Sequence, residues 1–77
     1  MKPLERIVVA FIGEELRRKT LHFLAAEGME AAAVCTSGAE VIRMVRQMGS
    51  AVVICGFYLR DMTADTLAAD LRGVAAV

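Results

Sequence analysis

The chain has 77 residues, enough for one small domain, and its 57% hydrophobic share excludes a disordered segment. Nine basic and nine acidic residues give a formal net charge of +0, so the chain carries no electrostatic case for binding RNA or DNA. The longest N-terminal apolar run, Ile7 to Ile12, is too short to span a membrane and follows Glu5 and Arg6, which argues against a signal peptide and a membrane partner and makes the cytoplasm the default location.

"RIVVAFI", Arg6 to Ile12, is a near-continuous β-branched run, the pattern of a parallel strand buried on both faces. Gly13 breaks it. Glu14 and Glu15 then open a helix, where negative charge suits the positive end of the dipole. Leu16, Thr20, Phe23, Leu24 and Glu27 share one side of it, which predicts an inner stripe of Leu16, Phe23 and Leu24. Gly28 is the stop. "MEAAAVC", Met29 to Cys35, reads as a weaker second strand, because alanine favours helix but the flanking glycines argue for a strand.

"SGAE" is a capping box, with Ser37 as the cap and Glu40 reaching back. Val41, Met44, Val45 and Met48 follow at i, i+3, i+4 and i+7, a core stripe in which the methionines fill space; Gly49 ends that helix. "AVVICGF", Ala51 to Phe57, is the third strand. Thr63 is placed to cap a third helix, with Asp65 in its first turn and Leu67, Ala68 and Leu71 facing inward. The tail "RGVAAV" carries no signal. The order β-α-β-α-β-α predicts an α/β fold with parallel strands and right-handed crossovers, with no linker to divide residues 1–77.

In open parallel sheets, ligands sit beyond the carboxyl ends of the strands. Here those ends are Phe11 and Ile12, then Cys35 and Thr36, then Cys55 and Gly56. A metal or phosphoryl-transfer site needs hard oxygen ligands there, and Phe11, Ile12 and Gly56 offer none.

"IVVAFIGEELRR", "TSGAEVIRMVRQMG" and "VVICGFYLRDMTADTLA" together resemble the first three units of a response-regulator receiver domain. The resemblance implies a three-layer, flavodoxin-like parallel sheet with strands in the order 2-1-3, truncated before its fourth and fifth βα units. It places the family's magnesium-binding acidic pair at Phe11 and Ile12, and its phosphoacceptor aspartate at Gly56. "LRDM", Leu59 to Met62, matches the loop that follows, with Arg60 where proline is usual. All three pocket carboxylates are therefore absent, which implies a pseudo-receiver that is not phosphorylated at the usual position and holds neither metal nor cofactor. The wording is also similar to pseudo-receivers found ahead of ANTAR domains, RNA-binding modules of transcription antitermination. That implies a signal-transduction or dimerisation role in a cytoplasmic regulator, not an enzyme, touching RNA only through a segment this chain lacks.

Truncation leaves the third-strand edge, Val52 to Cys55, open in this scheme, and predicts self-association or another protein partner. A different reading makes the chain a small-molecule sensor or enzyme, with Phe11, Ile12, Cys55, Phe57 and Tyr58 lining an apolar pocket; another makes it a fragment with no independent role. Cys35 and Cys55 lack metal-ligand spacing and read as buried structural residues, because two strand spacings of about 9.6 Å exceed the roughly 7 Å limit for a disulfide. Glu14, Glu15 and Asp61 are the acids nearest the strand ends; the glutamates read as helix-start charges and Asp61 as a loop former. His22 reads as a surface residue. Arg17, Arg18 and Lys19 fall on a different helix from Arg43 and Arg46, predicted to cover the opposite face, so no single basic patch is expected.

Overall fold

The computed structural model of the chain describes residues 6–72. Its elements alternate as β1 (Ile7–Ala10), α1 (Glu14–Ala26), β2 (Ala33–Cys35), α2 (Gly38–Met48), β3 (Val52–Cys55) and α3 (Ala64–Arg72). The strands are parallel in the order β2-β1-β3. The α/β alternation and the strand order are those expected. The tail residues 73–77 lie outside the described residues.

β1 is the middle strand because none of its side chains is polar, and all four are buried. It pairs Val8 with Ala33 on one side and Ile7 with Val52 on the other; Ala10 faces Cys35 and Cys55 at once. The twofold period of a strand divides its residues between two cores. Val8 and Ala10 join Cys35, Val41, Val45, Leu59 and Leu67 beneath α2 and α3. Ile7 and Val9 join Leu24 beneath α1, with Phe11, Leu21, Ala31 and Ile54 at the margin. Helices thus lie on both faces, two on one side and one on the other.

All three strands are shorter than their apolar runs. The segment before Ala33 stays irregular, since alanine has little to pack on a pleated surface; a single bond from the Ala32 N–H to the Ile7 carbonyl, 2.7 Å, ties it to β1. β1 loses strand geometry after Ala10, where Ile12 turns out into solvent.

α2 follows its predicted stripe: Val41 and Val45 are buried, Met44 and Met48 partly so. Ser37 Oγ accepts from the Glu40 N–H at 3.2 Å. Glu40 reaches one residue further than a capping box requires, its Oε1 accepting from the Thr36 N–H at 3.0 Å. α1 ends in a Schellman motif: the Met29 N–H bonds the Leu24 carbonyl at 2.8 Å and the Gly28 N–H that of Ala25 at 3.0 Å. Gly28 adopts φ +77°, which glycine alone enters freely.

α1 is rotated from the predicted orientation. Leu24 is its buried residue and Leu21 packs beside it, whereas Leu16 and Phe23 are 56% and 60% exposed. Those two lie about a quarter turn around the helix from Leu24. The sequence has apolar residues on both lines, and the sheet selects the one on which Arg17 also fits, its guanidinium reaching the Phe11 carbonyl at 3.2 Å. In α3, Leu67 is buried and Leu71 packs against the same core, but Ala68 is exposed. Thr63 does not act as the predicted cap: its hydroxyl donates to the Asp65 carboxylate rather than accepting from a helix N–H.

Candidate functional site

The carboxyl ends of the strands bring Phe11, Cys35, Cys55 and Gly56 to one end of the sheet. Phe11 is partly buried and held twice by its backbone. Its N–H donates to the Cys35 carbonyl at 3.2 Å, and its carbonyl accepts from Arg17. Its ring lies against Gly56. A Cβ built on Gly56 would stand 3.1 Å from Phe11 Cδ1 and 3.5 Å from Cε1. The Gly56 N–H continues the ladder to the Ala10 carbonyl at 3.0 Å. Only Gly28 and Gly49 have positive φ among the described glycines, so no backbone strain demands glycine at position 56. What the missing side chain leaves room for is the phenyl ring.

Ile12, Phe57 and Tyr58 are all exposed. The Phe57 and Tyr58 rings meet edge to face, centroids 4.9 Å apart at 89°. Cys35 and Cys55 are free thiols on either side of Ala10, two strand spacings apart. Burial pushes the Cys35 thiol up, Glu40 adding to the effect and Arg43 opposing it; burial alone pushes Cys55 up. Both therefore stay protonated and weakly nucleophilic near neutral pH.

The acids are placed elsewhere. Glu15 pairs with Lys19 at 3.5 Å on the outer surface of α1, and Glu14 stands beside it in the first turn. Asp61 caps α2. Its carboxylate accepts from the Gly38 N–H at 2.7 Å and the Ala39 N–H at 3.1 Å. Together with Ser37 it satisfies orphan donors at that helix start. The neighbouring Arg60 N–H donates to the Thr36 carbonyl at 3.1 Å, a bond a proline could not make. Leu59 sinks into the core and Met62 lies against Gly38. The β3–α3 loop is thereby fastened across the end of the sheet to the start of α2. Sequence reasoning placed Asp61 in a loop but missed the cap, because its partners lie 22 and 23 residues away and leave no local signature.

These bonds, first that from Gly38 and then that from Ala39, hold the Asp61 carboxyl below its ordinary range; the Thr36 amide does the same for Glu40, and the Thr63 hydroxyl for Asp65. A carboxyl whose folded pKa is depressed contributes stability above its unfolded pKa, about 4. That stability disappears as pH falls through the folded value. The chain should therefore lose thermal stability on acidification below about pH 4. Asp61→Asn should be less stable at neutral pH and show a shallower acid slope, the remainder coming from Glu40 and Asp65. Melting curves across the acid range check this, and an unchanged slope in the variant would refute it.

His22 is exposed, and the basic residues of α1 and α2 sit on helices that cover opposite faces of the sheet. Among the described residues, no three His, Cys, Asp or Glu side chains gather as metal ligands, and no helix is long and apolar enough to cross a membrane. No protein family matches the chain, and no curated protein or solved structure is significantly similar to it.

Proposed function

We propose that this chain is a non-catalytic pseudo-receiver: the first three βα units of a receiver-like, flavodoxin-like domain, serving as a signal-transduction or dimerisation module. The observation that carries the reading is the phenyl ring of Phe11 resting on the bare Cα of Gly56. Phosphoryl transfer needs a carboxylate to form the acyl phosphate and further carboxylates to hold magnesium. Those positions hold Gly56, Phe11 and Ile12, and the nearby Asp61 is committed to α2. Arg60 in place of the family's usual proline is consistent with a loop fastened by its own amide.

On this reading the module works in the cytoplasm, in a response-regulator-like transcription antitermination regulator. Its partner is a protein, or a second copy of itself, met at the open edge of β3. RNA is reached through a segment that this chain does not contain. Incubation with acetyl phosphate and magnesium, followed by intact-mass spectrometry, should leave the mass unchanged. A stable phosphoryl adduct on the chain would overturn the reading.

A further inference from the structure

The outer edge of β3 has no partner strand among the described residues. The Val52 N–H bonds the Arg6 carbonyl at 2.8 Å, and the Gly56 N–H bonds that of Ala10 at 3.0 Å. Backbone groups alternate sides along a strand, so positions 52, 54 and 56 turn toward β1. Val53 and Cys55 therefore point two N–H groups and two carbonyls outward.

Such an edge is a template for another strand, and proteins usually guard it with charge, proline or a bulge. Ala51 to Gly56 contains no charged residue and no proline. Val52, at the start of the strand, is 41% exposed, and Phe57 and Tyr58, just past its end, are exposed as well. The edge is also free of the penalty that self-pairing usually meets. A two-fold axis sets like charges near each other, and here there are none to repel. A net charge of +0 adds no repulsion at longer range.

We propose that the occupant is a second copy of this chain, its β3 running antiparallel to the first with Ile54 on the two-fold axis; this rests on the reading of the chain as an interaction module. In that register Val53 of each copy exchanges both backbone bonds with Cys55 of the other, so all four outward groups of each copy are used. Ile54 meets Ile54, and Val52 stands opposite Gly56, whose missing side chain leaves it room. Phe57 falls beside Ala51 of the other copy. The sheets join into one of six strands, in the order 2-1-3-3-1-2.

Sedimentation of the 77-residue chain from micromolar to millimolar concentration should show a monomer–dimer equilibrium. Register is read by disulfide trapping in a Cys35→Ala, Cys55→Ala background. Residues facing each other across a non-hydrogen-bonded pair lie about 4.5 Å apart, within disulfide reach. Ile54→Cys should therefore cross-link efficiently, and Val52→Cys, four residues out of register with its own copy, should not. Val53→Pro deletes an N–H that β1 does not use; it should weaken the dimer at least tenfold with the circular dichroism unchanged. If that variant fails to fold, the cysteine pair decides alone. A monomer at every concentration, or trapping through Val52→Cys instead, would overturn the proposal. A monomer that still takes no phosphoryl group would leave the emptied-pocket reading standing, whereas a phosphorylated dimer would do the reverse.

Discussion

Leu67→Ala is expected to strip the chain of much of its folding stability. Leu67 is 1% exposed and is the buried residue through which α3 meets the core of Val8, Ala10, Val41, Val45 and Leu59. Truncating such a leucine costs about 2–5 kcal/mol, through lost transfer energy and the cavity left behind. A domain of this size has a total stability on the order of 5 kcal/mol, because so much of its surface stays wet. The variant should show a sharply lowered urea midpoint or no cooperative transition. Leu16→Ala is the matched control. Its side chain is mostly in solvent, so its midpoint should move by no more than about 0.5 kcal/mol equivalent. Equal effects at the two positions would show that α1 and α3 are packed otherwise.

The second large effect is expected at Gly56. Gly56→Ala asks the Phe11 ring to give by a few tenths of an ångström and meets no forbidden φ. It should be tolerated within about 1 kcal/mol, helped by a less flexible unfolded chain. Gly56→Asp adds a carboxylate at the same place, against the ring of Phe11, whose carbonyl already engages the Arg17 guanidinium. A partly buried, unpaired charge costs about 1–3 kcal/mol. Its folded pKa should be raised, so the deficit is smallest below the ordinary carboxylate range and grows as pH rises through the folded value. Denaturation of both variants at acid and neutral pH checks the sign. The aspartate alone should not confer phosphorylation, because Phe11 and Ile12 supply no metal ligands.

Where a local pattern admits one answer, the sequence is readable. Ile7 to Ala10 has no polar residue to place outside, so it could only be an inner strand. Ser37 and Glu40 announce the start of α2 three residues apart, and Val41 and Val45 leave one face to bury. Where two answers fit, the sheet decides. α1 offers both the Leu16–Phe23 line and the Leu21–Leu24 line, and only packing on a sheet of three strands separates them. The hydroxyl of Thr63 had two partners within reach and took the Asp65 carboxylate. At the candidate site, the absence of acids at positions 11, 12 and 56 was visible residue by residue. That the Phe11 ring would close over Gly56 was not, since it depends on two strands meeting that are far apart in the chain. The role of Asp61 was hidden for the same reason.

The central position of β1 also sets a timetable for synthesis. This strand leaves the ribosome before β2 and β3, yet Ile7 finds its partner in Val52, 45 residues later. At about 5–20 residues per second, translation takes roughly 2–9 s to cover that interval. Throughout it the most buried strand of the chain has at least one side without a neighbour, and before β2 emerges it has none. The nascent chain should therefore be a client of ribosome-associated chaperones, held until β3 has cleared the exit tunnel and the sheet can close around its oldest strand.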